Sequence, residues 1–483
     1  MLENCAASTS TLPYVPSAAM PWNLRRVAHL HRRAGFGAPI QTLLADLDQA
    51  PVTVVDRLLT EARALPPDPE PDYAGNDKAA FGGALALLNS TLAKDGRGRE
   101  WVLSLQDSGL RGRMDLFWHN HFVTKFDVYE SAAYGYEYQN LIQRRGLGNF
   151  RDLVREMGLT RAMLVYLNGD QNIAASPNEN YARELYELFT LGDANGYTQT
   201  DIVETARALT GYTNTVTEWG EIRFDPATHD GGAKTIFGRT GSWGYDDVID
   251  ILFAERGVQV SEFIAGKVYA HFVNPDPEPG VIASLAQTFR DADFEIAALM
   301  RAVFVGEHFY DEAHFATIIP GHIEQALILR NELAAPLNGL TVFAVYYGSG
   351  EQGQALFNPV DVAGWPGNRS WINTTSLRYR WEYAEETVGP LGLFNYNYLW
   401  DLARGLTDGT DDVEGICRDL VAHWIPKGLQ FASDFEDALV SFKGNVPANY
   451  FTDGTWSIDY FSVPFQVADL LRFLVRHPEF QLR

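Results

Sequence analysis

The chain has 483 residues, a formal net charge of −24 and 46% hydrophobic side chains. This is a globular composition whose acidity opposes contact with nucleic-acid phosphates. Two cysteines, Cys5 and Cys417, exclude a disulfide framework or a thiolate metal cluster, and no apolar run approaches the ~20 residues of a membrane span.

Residues 1–21 are rich in Ser, Thr, Ala and Pro and are expected to form a flexible arm. Glu3 stands where a secretory leader carries positive charge, and no apolar segment follows it, so the expected location is cytoplasmic. A helical core domain is expected over 22–335, interrupted by a proline-rich loop at 65–77 and a glycine-rich β excursion at 213–245. Residues 336–483 are expected to form a C-terminal helical region whose loop 350–376 carries Trp, Gly and Pro. The fold class is therefore mainly α, a large multi-helix fold with one small β-hairpin excursion.

Two helix starts are signalled strongly. SPNENYARELYELFTLG places Ser176 as cap, Pro177 first in the helix, Glu179 as capping acid and Gly192 as stop. YTQTDIVETARALTGY repeats the pattern with Thr198, Asp201 and Gly211.

Near the amino terminus, LRRVAHLHRRAGF concentrates Arg25, Arg26, Arg32, Arg33, His29 and His31. It is either an anion patch or a helix face paired with the surplus carboxylates. FWHNHF, residues 117–122, sets His119, Asn120 and His121 among aromatics. On a helix the two histidines project about 200° apart, whereas His119 shares a face with Asp115. In NENYARELYELF, Arg183 and Glu187 are spaced to pair, and Glu184 lies at the edge of the buried stripe, where burial raises a carboxylate pKa. THDGGAK (228–234) carries His229, Asp230 and Lys234 beside two glycines. GWPGNRSWIN offers Trp365, Arg369, Trp371 and Asn373 for a planar or sugar ligand. The serine-hydrolase elbow, the HExxH zinc motif, the phosphate loop and the CxxC pair are all absent from the sequence.

Seven ordered segments, LHRRAGFG, FWHNHF, PNENYARELYELFTLG, YTQTDIVETARALTGY, HDGGAK, GYDDVIDIL and LFNPVDVAGWPG, resemble the bacterial domain-of-unknown-function 1800 family across residues 24–380. The resemblance implies no defined activity. It implies weight on His119, Asn120, His121, Asn178, Glu179, Asn180, Arg183, Glu184, His229 and Asp230. It also implies an exported protein with a sulfatase-like partner, a pattern from which this chain departs in lacking an export signal.

The leading functional expectation is a metal-dependent hydrolase or oxidoreductase acting on a small-molecule or glycan-like substrate. His119, His121, Glu184 and His229 would bind Zn, Fe, Mn or Cu, since imidazoles and a carboxylate without thiolates suit a borderline divalent ion. Glu184, Asp230, Arg183 and Lys234 would act on the substrate. The rival expectation is a non-catalytic binding or assembly protein in which these motifs are buried structural networks. Metal-free acid–base chemistry and a haem enzyme are further alternatives.

Overall fold

The computed structural model describes residues 9–214, 217–444 and 446–483. It is 61% helical, with two small antiparallel hairpins inside the expected β excursion. Strand β1 (Tyr212–Asn214) pairs with β2 (Ile222–Phe224), and β3 (Lys234–Ile236) with β4 (Arg239–Gly241). The second hairpin turns on Phe237 and Gly238 at φ 48° and 83°, the paired positive angles of a two-residue type I′ turn. No helix among the described residues is long and apolar enough to cross a membrane.

Local chemistry explains why one helix start follows its pattern and the other does not. The Asp201 N–H donates to Thr198 Oγ1 (3.2 Å) and the Thr198 N–H to Asp201 Oδ2 (2.9 Å). This reciprocal box satisfies donors that every helix start leaves open, and helix Gln199–Ala208 begins as expected. Gly211 follows at φ 112°, where a Cβ would lie 2.7 Å from the Phe224 ring. Ser176, by contrast, closes a β-bridge with Ile173 instead of capping. Buried Asn172 accepts the Asn178 N–H (2.9 Å) and donates its own amide to the Ala206 carbonyl (2.9 Å). That anchor holds 177–179 outside the helix, which starts at Asn180 and after one turn widens into a π-helix over Leu185–Thr190. The expected stop, Gly192, follows at φ 91°.

Two large hydrophobic clusters organise the packing. The first runs from Tyr14 to Trp371; the second joins Ala384–Phe480 to Ile40, Leu329 and Leu333. Leu337, Val345 and Trp371 belong to the first cluster. Of the arm expected over 1–21, residues 1–8 lie outside the described residues, and the remainder makes contacts with the core. Tyr14 is buried with its N–H on the Val305 carbonyl (2.8 Å), and the His308 N–H donates to the Ser10 carbonyl (2.9 Å).

Candidate functional site

Helix Gly109–His121 carries the FWHNHF motif at its end. Arg113, Leu116, Phe117, Asn120 and His121 recur at three- and four-residue intervals, so they share one face. That face walls a cavity of about 340 Å³. Helix Tyr245–Phe272 supplies the opposite wall with Lys267 and His271, one turn apart. Glu324, at the start of helix His322–Glu332, and the indoles of Trp365 and Trp371 close the remaining sides.

His119 lies on the other face of its helix and is sealed, with no exposed surface. Its Nε2 accepts the Phe357 N–H (3.0 Å), so Nδ1 bears the proton and donates to Tyr138 Oη (3.0 Å). Tyr138 in turn donates to the Phe122 carbonyl (2.8 Å). Both ring nitrogens are spent, and burial lowers the imidazole pKa to about 3. Asn120 is spent too: its Oδ1 accepts the Trp365 N–H (2.5 Å) and its Nδ2 donates to the Trp365 carbonyl (3.3 Å). Gly364 admits this clamp, since at its φ of 87° a Cβ would lie 2.4 Å from Asn120 Oδ1. Two residues of FWHNHF thus fasten the 356–367 segment that forms the Trp365 wall.

His121 is the residue of the motif left with capacity. The Phe189 carbonyl, delivered by the π-helix, can only accept, so His121 Nε2 carries the proton that bonds it (3.0 Å). Nδ1 is then a bare lone pair, buried and without a partner among the described residues. Burial first, then the Lys267 charge, holds this imidazole neutral, well below its ordinary pKa. His271 is similarly neutral through burial and the charges of Arg113 and Arg33, and its Nε2 has no partner among the described residues.

The cavity is cationic inside an acidic protein. Arg113 is 4% exposed and makes no hydrogen bond to a described residue; its one carboxylate contact, Glu324, stands at 3.8 Å. The other oxygen of Glu324 accepts from Gln354 Nε2 (2.8 Å). Arg33 lies close enough to Arg113 for the two charges to oppose each other, and its own bonds go to the His314 carbonyl (3.2 Å) and Thr317 Oγ1 (3.1 Å). Elsewhere on the amino-terminal helix the pairing reading holds: Arg25 and Arg26 meet Glu312, Arg32 meets Glu332, and His31 meets Asp46. Lys267 has no hydrogen bond or ion pair to a described residue, and burial lowers its pKa to about 8.

The other expected site residues lie elsewhere. Arg183 is held between Glu179 (3.0 Å) and Glu187 (3.2 Å). Glu184 is in no ion pair among the described residues; burial, then Glu187, raises its pKa as expected for that edge position. His229 Nδ1 bonds the Thr210 carbonyl (2.9 Å), which fixes it beside β2. Arg207 Nε bonds Asp230 Oδ2 (2.8 Å) and holds that carboxyl below the usual range. Lys234 is buried on the carbonyls of Asp230 and Gly232, so HDGGAK spends its lysine on its own backbone while Arg207 and Thr210 anchor the turn. Asn373 caps helix Thr374–Val388, and Arg369 is exposed.

Neither Glu184 nor His229 lines the cavity. Among the described residues, no three His, Cys, Asp or Glu side chains are placed to hold a metal ion together. His119, His121, Glu184 and His229 therefore do not fit as one metal shell; His119 has no free nitrogen to offer and the other three sit in separate surroundings. The cavity instead gathers Arg113, Lys267, His271 and Glu324, which motif reasoning passed over. Their signal was the four-residue step from Lys267 to His271 and the regular face leading from Arg113 to His121.

A family model described as a protein of unknown function, DUF1800, matches residues 29–482. No curated protein and no solved structure matches the chain.

Proposed function

The chain belongs to the DUF1800 family of proteins of unknown function, and from that premise we propose that its central cavity is an acid–base active site for a small organic anion. Arg113 carries this reading. A buried guanidinium with its donors unspent is costly, each unsatisfied donor by about 1–3 kcal/mol, and a bound anion relieves that cost with paired, charge-assisted hydrogen bonds. The apolar body of the ligand lies against Phe117 and Trp365. His121 Nδ1, already a lone pair, takes a proton from the ligand, and the Lys267 ammonium stabilises the negative charge that develops. A negative guest also raises the His121 pKa toward the working range, because it favours the imidazolium.

The test uses lactate as the probe and thermal unfolding as the readout. Removing Arg113 alone would strand Glu324, so the informative variant is the double change Arg113→Met with Glu324→Gln. Lactate is expected to raise the melting temperature of the wild type and leave that of the double variant unchanged. Equal stabilisation of both would overturn the reading. Elemental analysis of the same preparations bears on the metal-dependent alternative: about one transition metal per chain, lost in His121→Ala, would replace metal-free acid–base chemistry.

A further inference from the structure

We propose that Lys267 is a nucleophilic amine that forms an imine with a carbonyl-bearing organic anion, a 2-oxo acid or an aldehyde acid, held in the cavity by Arg113. The inference rests on the anion reading of the same cavity and names its substrate class.

Three features of Lys267 point to this role. Its Nζ has no hydrogen bond or ion pair among the described residues and lies 5.2 Å from the Phe263 ring centre. Lys78, Lys94 and Lys234 are tied down, to Glu218, Asp95 and two backbone carbonyls, and Lys125, Lys427 and Lys443 do not line the cavity. Second, an amine in apolar surroundings is the lysine that loses its proton near neutrality and becomes a nucleophile, and burial brings Lys267 to about 8. Third, a proton carrier is adjacent. The His121 ring stands 6.4 Å from the same Phe263 ring, and both residues face the cavity. Among the described residues Glu324 is the one carboxylate lining the cavity; one of its oxygens accepts from Gln354, and it forms no ion pair with Lys267.

The step balances without any external oxidant or reductant. The Lys267 lone pair forms a C–N bond to the carbonyl carbon while the C–O π bond opens onto oxygen. His121 Nδ1 takes a proton from the nitrogen and returns it to that oxygen, giving a neutral carbinolamine. The C–O bond then breaks as the second nitrogen proton leaves with the hydroxyl, so the products are an imine and one water.

The experiment is reductive trapping with glyoxylate and cyanoborohydride, read by peptide mapping of the seven lysines in the chain. At about pH 7.5 an amine of pKa about 8 is on the order of 100-fold more deprotonated than an ordinary lysine. After allowance for its lower intrinsic nucleophilicity, Lys267 is expected to label about tenfold faster than the others. Excess lactate should slow that labelling alone, as should the paired Arg113→Met and Glu324→Gln changes. Labelling spread evenly over the lysines, with lactate still raising the melting temperature, overturns the imine and leaves the anion site standing. Even labelling with no lactate effect overturns both.

Discussion

At the scale of single residues, the two histidines of FWHNHF differ in what they have left to offer. His119 is a linchpin whose two nitrogens are committed, whereas His121 keeps one unpartnered nitrogen, to which the proposed reading gives a proton-transfer role. His119→Phe is expected to cost about 2–4 kcal/mol, because the Phe357 N–H and the Tyr138 hydroxyl lose their partner in a sealed core. The response to lactate should persist in the surviving fold, as urea titrations with and without lactate would show. Asp115, one turn before His119, has its pKa raised to about 7 by burial, against the lowering effect of Arg111. A carboxyl raised in the folded state favours folding while protonated. Its contribution is therefore present below about pH 4 and is lost as pH rises to about 7, a swing on the order of 4 kcal/mol at about 1.4 per unit. Asp115→Asn should flatten that slope in urea midpoints measured across this range. Sequence spacing already separated the two histidines onto different faces. It could not tell which was spent, because that depends on Phe357 and Phe189, 238 and 68 residues away.

Elements were legible wherever their signals were local. The Thr198–Asp201 box and both glycine stops behave as sequence chemistry dictates, and Thr198→Ala is expected to cost about 1 kcal/mol in a thermal melt. The Ser176 start was misread because the nearby buried side chain of Asn172, anchored across the fold on the Ala206 carbonyl, takes the Asn178 N–H and holds the segment off the helix. The loop at 350–376, of which 356–367 is part, was recognisable as unusual by length and composition. Its role as a wall pinned by His119 and Asn120 emerges only in three dimensions. Gly364→Ala tests the clamp: a Cβ at φ 87°, 2.4 Å from Asn120 Oδ1, must break one of the two Trp365 contacts. Hydrogen exchange should then quicken at residues 356–367 while the 199–208 helix stays protected.

On the scale of the whole molecule, the net charge of −24 concealed a basic interior. Composition sums charge over a surface that meets water, whereas the cavity depends on where Arg33, Arg113 and Lys267 are buried. Lactate binding should weaken as pH rises through about 8, because Lys267 loses its charge there; calorimetry on either side of that point checks the sign. Glyoxylate trapping should rise over the same interval, since it needs the neutral amine. The opposite slopes separate a charge that attracts from a lone pair that reacts.

The π-helix at Leu185–Thr190 holds one residue more per turn than an α-helix would. It is in effect a one-residue insertion, and a chain shortened by one there could wind a regular and sturdier helix. That shorter chain would forfeit the Phe189 carbonyl as the partner of His121, and the imidazole proton would be free to migrate to the other nitrogen. The irregular turn therefore acts as a tautomer lock, and nitrogen chemical shifts of His121 in a single-residue deletion series would report whether the lock has opened.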